Sequence, residues 1–423
     1  MKAGILTFYY NNENFGGQLQ ARALVRAIES CSEWQSEQIQ YDYLRSWRRL
    51  PYSRRLIMSI QQAFQGGIRN GVQFLSSRLK AEKKLSATSG LENQLKEQLD
   101  CRKAAFLRFQ KETPHSSIVF DNDSIKDCLD SYACFICGGD QIWNDWSDWF
   151  IHNALDNFCL KFVPRTVQKF SYAPSIPLTK VRPVFIKRLS ENIRQLDAVS
   201  VREKSSIPFL EERTGKKAIT VADPVLLLKR TFRQKNCALC PKFCLLLKRE
   251  QWDKESRPVD IHEKYVFCYL LGDGTDTRNA AEEYARKIEC QLVTVPHIIN
   301  ANSQDEKFGD IQDFTSGPAE FLSLIRGAEV VVTDSFHAAV FSMIYHKPFY
   351  VLERTTRVSG GSMGSRLTDF MAEYKLEGQG ITAEQLNTTE SIPQIDYRES
   401  DKIWSRRRTE SYEYLRNNLR KKQ

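Results

Sequence analysis

The sequence predicts an α/β protein of two doubly wound lobes, and three observations carry that prediction. Its opening reads as strand, glycine-containing loop and helix. Short apolar, β-prone runs then alternate with helical stretches, and this alternation stops at a polar segment and starts again. At 423 residues the chain has the length of two domains or three, and 41% hydrophobic residues are enough to fill their cores.

Residues 3–10 (AGILTFYY) form the first β-prone run, which gives way to the polar loop 11–17 (NNENFGG). From Leu19 the apolar positions Ala23, Leu24, Ala27 and Ile28 recur at helical spacing. Buried strands are predicted at 132–137, 169–173, 198–201 and 218–221. Around 254–263 the chain turns polar and carries Pro258, which places the linker there. Further strands follow at 265–271, 291–295, 329–333 and 348–352, with helices starting near Thr277, Gly317 and Ser335. The predicted lobes are therefore 1–253 and 264–423. Open α/β sheets bind ligands beyond the carboxyl ends of their strands, so two such lobes are expected to face each other across a cleft.

Lys and Arg number 61 against 52 Asp and Glu, and the resulting +9 favours anionic partners: phosphate ligands, lipid head groups or nucleic acid. A helical insertion is predicted at 45–100. Its residues 45–84 hold ten cations, from Arg45 to Lys84, against the single acid Glu82, interleaved with Trp47, Leu50, Ile57 and Phe64. Two readings stand: a solvated insertion packing its apolar stripe on its own lobe, or a patch lying on anionic membrane. Gly66, Gly67 and Gly71 interrupt the stripe and favour the first. The tail, with Arg406, Arg407, Arg408, Arg416 and Arg420, reads as a solvated basic helix.

No run approaches the roughly 18 apolar residues of a membrane span. Met1 and Lys2 lead straight into a strand without a signal peptide's apolar core, so a soluble, cytoplasmic protein is expected. Eleven cysteines, odd in number and scattered, suit a reducing compartment better than a disulfide framework. Cys237, Cys240 and Cys244 lie in an apparent insertion at 231–249. One pair and a straggler fall short of a closed zinc site even with His262 as a candidate fourth ligand, so no metal is expected. Asp121, Asn122 and Asp123 resemble a metal-holding D-x-D, but they precede a predicted helix near Ser124, where capping accounts for them.

The sharpest local feature is VVVTDSFHAAVFS at 330–342, an apolar strand that ends in polar residues and runs at once into a helix. The free N–H groups of such a helix start favour an anion, and His337 could exchange a proton with it. The bland alternative has Asp334 or Ser335 capping the helix and His337 merely packing. In the other lobe Asp140, Gln141, Trp143 and Asn144 follow a buried strand, and a carboxylate, amides and an aromatic ring suit hydrogen bonds and stacking against a sugar. Here too packing competes: Trp143 could wedge helix against sheet and Asp140 could cap. Asn14, Gly16 and Gly17 offer either close ligand approach or a tight turn.

Taken in series, NFGGQLQ at 14–20, ICGGDQIWN at 136–144, SYA at 171–173, VREK at 201–204, DPVLLL at 223–228 and TDSFH at 333–337 resemble the polysaccharide pyruvyl transferase family in order and spacing. The resemblance covers roughly 1–45, 101–228 and 265–380. It implies two Rossmann-like lobes in a GT-B-like arrangement with a central cleft. It also implies phosphoenolpyruvate as donor, with a pyruvate ketal formed on a sugar and no other cofactor. Arg202 and His337 match the family's donor-contacting Arg and His. Asp334, Ser335, Lys204 and Arg366 fall to the donor as well, with Arg354 and Arg357 close by, while Asn14, Gly16, Asp140, Gln141, Trp143 and Asn144 fall to the acceptor.

By this reading 1–253 is the acceptor lobe and 264–423 the donor lobe. The acceptor is a sugar or lipid-linked oligosaccharide of a surface polysaccharide, reached at the inner face of the membrane, and no nucleic acid is a partner. The chain departs from the pattern at Gly139, where the family carries serine, and at Ala338 and Ala339, where it carries glycine after the histidine. Rival readings are a nucleotide-sugar glycosyltransferase of the same architecture and a non-catalytic carbohydrate- or nucleic-acid-binding protein.

Overall fold

The computed structural model describes residues 1–55, 57, 95–145, 154–176, 183–228, 251–296, 305, 307–354 and 363–419. Most of the basic insertion, the Cys237, Cys240 and Cys244 string, Arg357 and the last basic residues from Arg420 lie outside them. The chain forms two compact units: residues 1–100, 110–224 and 407–423 make the first, and 101–109 with 225–406 make the second.

The first unit is built on parallel strands β1 (Lys2–Leu6), β2 (Gln35–Gln38), β3 (Cys134–Gly138) and β4 (Gln168–Tyr172), in the order β2-β1-β3-β4. Strands β5 (Val199–Val201) and β6 (Ala218–Thr220) pair in parallel. A parallel bridge between Phe170 and Ala198 sets β5 beside β4. This is the doubly wound order 2-1-3-4-5, whose direction reverses between β1 and β3. Burial on both faces explains why these strands read as unbroken apolar runs. Two glycines end β3 for a steric reason. A Cβ on Gly138 would stand 1.9 Å from Tyr172 O, and Gly139, at φ +76°, would meet Gln20 Oε1 at 1.6 Å. A serine at 139, as the family carries, would require the Gln20 amide to move and the residue to hold a left-handed φ.

Helix α1 (Phe15–Cys31) begins four residues before the predicted Leu19, because Asn14 accepts the Gly17 N–H at 2.8 Å and caps it. A five-residue helix α2 (Arg45–Arg49) precedes α3 (Lys96–Glu112), and α4 (Ala154–Phe158), α5 (Pro183–Ile193) and α6 (Ile207–Thr214) follow. Phe8, Tyr41 and Phe158 meet edge to face at 4.4 and 5.4 Å in the core. Asp121 accepts from the Ser124 hydroxyl and from the N–H groups of Asp123 and Ser124, so it closes the turn ahead of the 3-10 helix Ile125–Ser131, whose N-cap residue is Ser124 and carries no side-chain capping bond.

The second unit holds β7 (Tyr265–Tyr269), β8 (Gln291–Thr294), β9 (Ile311–Gln312), β10 (Val330–Thr333), β11 (Phe349–Leu352) and β12 (Gly380–Ile381). All pair in parallel, in the order β9-β8-β7-β10-β11-β12. This is the Rossmann order 3-2-1-4-5-6, with its reversal between β7 and β10. Both units are therefore Rossmann-like α/β lobes. Helices α7 (Gln251–Glu255), α8 (Thr275–Lys287), α9 (Pro318–Gly327), α10 (Phe336–Ile344), α11 (Met363–Glu373) and α12 (Ala383–Thr388) surround this sheet. Every residue of α10 is buried, as an all-round apolar helix requires.

The units divide differently from the predicted linker at 254–263. Trp252 donates to Val225 O at 3.0 Å and packs edge-on against Phe341 at 4.9 Å, which puts this stretch in the second unit. Helix α13 (Arg398–Asn418) contributes Trp404, which donates to Leu226 O, to the second unit. Its later turns belong to the first: Tyr414 donates to Ser171 O at 2.9 Å and Ser411 accepts the Ala222 N–H at 2.8 Å. The tail is thus a docked helix rather than a solvated one, with Arg408 and Arg416 covering the Tyr412 ring. No helix among the described residues is long and apolar enough to cross a membrane.

Asp156 on α4 accepts from Arg188, Asn192 and Lys161. Burial pushes its carboxyl up, but these hydrogen bonds and the Arg188 charge outweigh that and hold it at about 2 against an ordinary 3.8. A depressed folded value stabilises fully above the unfolded value and is lost as pH falls through the folded one. We expect the melting temperature to fall between about pH 4 and pH 2, and Asp156→Asn to flatten that part of the curve, as calorimetry across pH would read.

Candidate active site

In the first unit the carboxyl ends of five strands converge their motifs. Asn11 after β1, Asp140 after β3 and Ala173 after β4 all have left-handed φ, at 52°, 50° and 53°. Non-glycine residues adopt this region at a cost of about 1 kcal/mol or more, and such strain gathers at functional edges. Asp140 O accepts the Ser175 N–H at 2.7 Å, and the Ser175 hydroxyl donates to Glu203 Oε1 at 2.9 Å. Arg202, next in sequence after β5, donates from Nε to the same Glu203 Oε1 at 2.9 Å and from Nη1 to Asp223 Oδ2 at 2.7 Å. Burial pulls the Arg202 ionisation down, yet the charges of Glu203, Asp223 and Asp140 more than offset it and hold the guanidinium above its ordinary value. Three motifs quoted from the sequence, at 136–144, 201–204 and 223–228, thus meet through one buried cation.

Several predicted acceptor residues have other duties. Trp143 is wholly buried and its indole N–H donates to Phe158 O at 3.3 Å, so it has no face to stack on a sugar. Its size and polar handle looked like a sugar platform; the core claimed both. Asn14 caps α1, and Gly16 lies in that helix's first turn rather than in a ligand loop. Asp140, Gln141 and Asn144 remain partly exposed polar groups after β3. Lys204 is exposed at the start of a 3-10 turn and stands outside the hydrogen-bonded cluster described above.

In the second unit the β10–α10 turn sits at the reversal of strand order. Asp334 Oδ1 accepts the Leu271 N–H at 2.7 Å and Oδ2 the Gly272 N–H at 2.8 Å, so its carboxylate ties the loop after β7. Arg354, after β11, donates to Asp334 O at 2.7 Å and places Nε 3.4 Å from Oδ2. Asp334 is therefore a positioning residue for three strand ends, not a ligand contact. Ser335 is the N-cap residue but makes no side-chain capping bond, which sets aside the capping alternative for it and leaves the start of α10 to backbone N–H groups.

His337 stands in the first turn of α10, buried, with its ring edge-on to Phe336 at 5.2 Å. Phe336 in turn packs against Phe370 at 5.7 Å. Arg366 lies one turn before Phe370 on α11, hence on the same helix face. Ala338 and Ala339 are wholly buried.

Two arginines went unnoticed in the sequence. Arg278 donates to Asp305 at 2.7 Å and to Gly272 O and Gly274 O at 2.9 Å each. Arg102 donates to Pro296 O at 3.0 Å and to Asp313 O. Both are buried beside strand ends, and both influence the groups there: burial raises the Tyr269 hydroxyl and the Cys268 thiol, against which the Arg102 charge acts on the first and the Arg278 charge on the second. Helical arginines are solvated by default, so nothing in the pattern singled these out, although Gly272 and Gly274 near Arg278 were a faint signal.

A family model for polysaccharide pyruvyl transferase matches residues 14–356, which takes in every strand but β1 and β12, together with Arg202, Glu203, Asp223, Asp334 and His337. The chain belongs to the polysaccharide pyruvyl transferase family. Among solved structures, UDP-GlcNAc 2-epimerase from Neisseria meningitidis bound to UDP-GlcNAc aligns at 11% identity and TM-score 0.46, covering 99% of each chain. UDP-GlcNAc 2-epimerase from Methanocaldococcus jannaschii aligns at 11% identity and TM-score 0.46, over 95% of this chain and 98% of that one. Glycosyltransferase SnogD from Streptomyces nogalater aligns at 10% identity and TM-score 0.42, over 99% and 98%. No curated protein matches the chain.

Within the pyruvyl transferase frame, the R-E-K and D-P motifs are physically one ion cluster. Removing Arg202 would leave Glu203 and Asp223 buried without their cation, a loss of about 3–5 kcal/mol. Arg202→Ala should therefore lower the urea midpoint strongly, and Arg202→Lys, a point charge unable to fork to two carboxylates, should fall between.

Proposed function

We propose that this chain transfers the pyruvyl group of phosphoenolpyruvate to two hydroxyls of a sugar, as a ketal, during assembly of a surface polysaccharide or its lipid-linked precursor. The chemistry sets the needs. Two sugar oxygens bond to C2, C3 gains a proton, and the C2–O bond to phosphate breaks with its electron pair going to phosphate. Of the two hydroxyl protons, one balances C3 and the other the departing phosphate. No redox partner enters, so the co-substrate is phosphoenolpyruvate itself.

His337 is the proton carrier for C3 in this reading, and the N–H groups opening α10 receive an anionic group of the donor. Ser335 and Arg366 assist there, and Lys204 remains a further cation for the donor. Arg202, kept charged and fixed in plane by Glu203 and Asp223, meets the donor's anionic groups. Asp140, Gln141 and Asn144 hydrogen-bond the acceptor. The family membership over residues 14–356 carries the reading, and the placing of His337 at an α10 start without a side-chain cap supports it. Work on a lipid-linked acceptor would bring the protein to the inner face of the membrane, with the basic segment 45–84 as the contact.

Incubation with phosphoenolpyruvate and lipid-linked galactose, mannose and glucosamine acceptors, followed by phosphate release and by the acceptor's mass gain of pyruvic acid less water, tests this. His337→Ala should slow release by about 100-fold or more at unchanged melting temperature, the scale of a lost general acid. Transfer from a nucleotide sugar, with phosphoenolpyruvate inert, would reject the proposal.

A further inference from the structure

The loop that leaves β7, residues 270–274, is gripped by two buried side chains of opposite charge. Asp334 takes its N–H groups, those of Leu271 at 2.7 Å and Gly272 at 2.8 Å. Arg278, in the opening turn of α8, takes its carbonyls: Nη1 donates to Gly272 O and to Gly274 O at 2.9 Å each. The backbone of Gly272 is therefore held by the acid through its N–H and by the guanidinium through its C=O. Arg278 is 3% exposed and Asp334 2%, so water offers neither a substitute partner.

The guanidinium is itself aimed. Its Nε donates to Asp305 Oδ1 at 2.7 Å, and its carbon stands 5.6 Å from the centre of the Phe308 ring. Asp305 lies in the connection between β8 and β9, and its carbonyl accepts from the Gln312 amide on β9. Serving one carboxylate and two carbonyls at once takes the planar fork of an arginine; a lysine ammonium is a point charge that cannot span them.

Asp334 carries this grip toward the chemistry. It joins β10 to α10 and precedes His337 by three residues, on a helix whose every residue is buried. A loop released from Arg278 would withdraw N–H groups from the Asp334 carboxylate, which would turn and take the start of α10 with it. We infer that Arg278 is a positioning residue for pyruvyl transfer, acting through the loop after β7 and Asp334 to keep His337 where proton delivery needs it. Its effect on turnover rests on the pyruvyl-transfer reading; its grip on the loop does not.

The full chain and its Arg278→Lys variant are compared by turnover of phosphoenolpyruvate with the same acceptors, by amide hydrogen exchange, and by melting temperature. Arg278→Lys should lower kcat about tenfold or more, the scale of a slightly displaced catalytic group, and change the KM for phosphoenolpyruvate by less than about threefold. Exchange should quicken about tenfold or more in peptides covering 269–275 and 333–340, and stay as it is across α9. Asp305→Asn removes the carboxylate that aims the guanidinium while keeping the arginine; it should move the same readouts the same way by a smaller factor, and it decides if Arg278→Lys does not fold.

An arginine that merely supports the fold would lower the melting temperature and quicken exchange throughout the second unit, with kcat unchanged well below the melt. That result, or unchanged exchange at 333–340, overturns the inference. If the wild-type chain turns over no phosphoenolpyruvate, the pyruvyl reading falls, and exchange at 333–340 alone decides whether Arg278 positions the His337 turn.

Discussion

One carboxylate, Asp334, holds the working edge of the second unit in shape. Its two oxygens take the N–H groups of Leu271 and Gly272, and its main chain and side chain both meet Arg354. Three strand ends that are far apart in sequence are thereby locked at the point where the sheet's order reverses, and that is where a Rossmann-type sheet leaves a crevice. His337 follows three residues later on a rigid, fully buried helix, so its position is inherited from this tie.

The first unit solves the same problem with the opposite sign. Its tie is a cation, Arg202, between two acids, and the partner oxygens come from a different motif each. A buried ion set of this kind is a modest source of net stability but a strong source of uniqueness, because any other packing strands a charge. The surroundings differ accordingly. The second unit lays Arg102, Arg278 and Arg354 along its strand ends, whereas the first offers oxygens.

The fold was legible where strands are buried on both faces, since runs such as VVVT at 330–333 and CFIC at 134–137 have no other stable use. It was not legible at β2, β9 and β12. These are short or polar edge strands, defined by one neighbour and not by their own residues. Motif residues were placed on the correct strand ends, but their duties were not readable. A carboxylate that binds a ligand and one that ties a loop have the same local sequence, so Asp334 passed for a donor contact. Trp143 passed for a platform because composition does not say which side of the turn after β3 faces inward. The domain border was missed because Trp252 and Trp404 reach back to Val225 and Leu226 over long sequence separations.

Helix α13 serves two masters, and this orders events in time. The first unit begins at Met1, yet the groups that receive Ala222 N–H and donate to Ser171 O are on Ser411 and Tyr414. On the ribosome this sheet must wait, with β4 and β6 lacking their covering helix, while the whole second unit is made. A nascent chain of this design exposes apolar surface longer than a linear two-domain protein would, and so leans more heavily on chaperones.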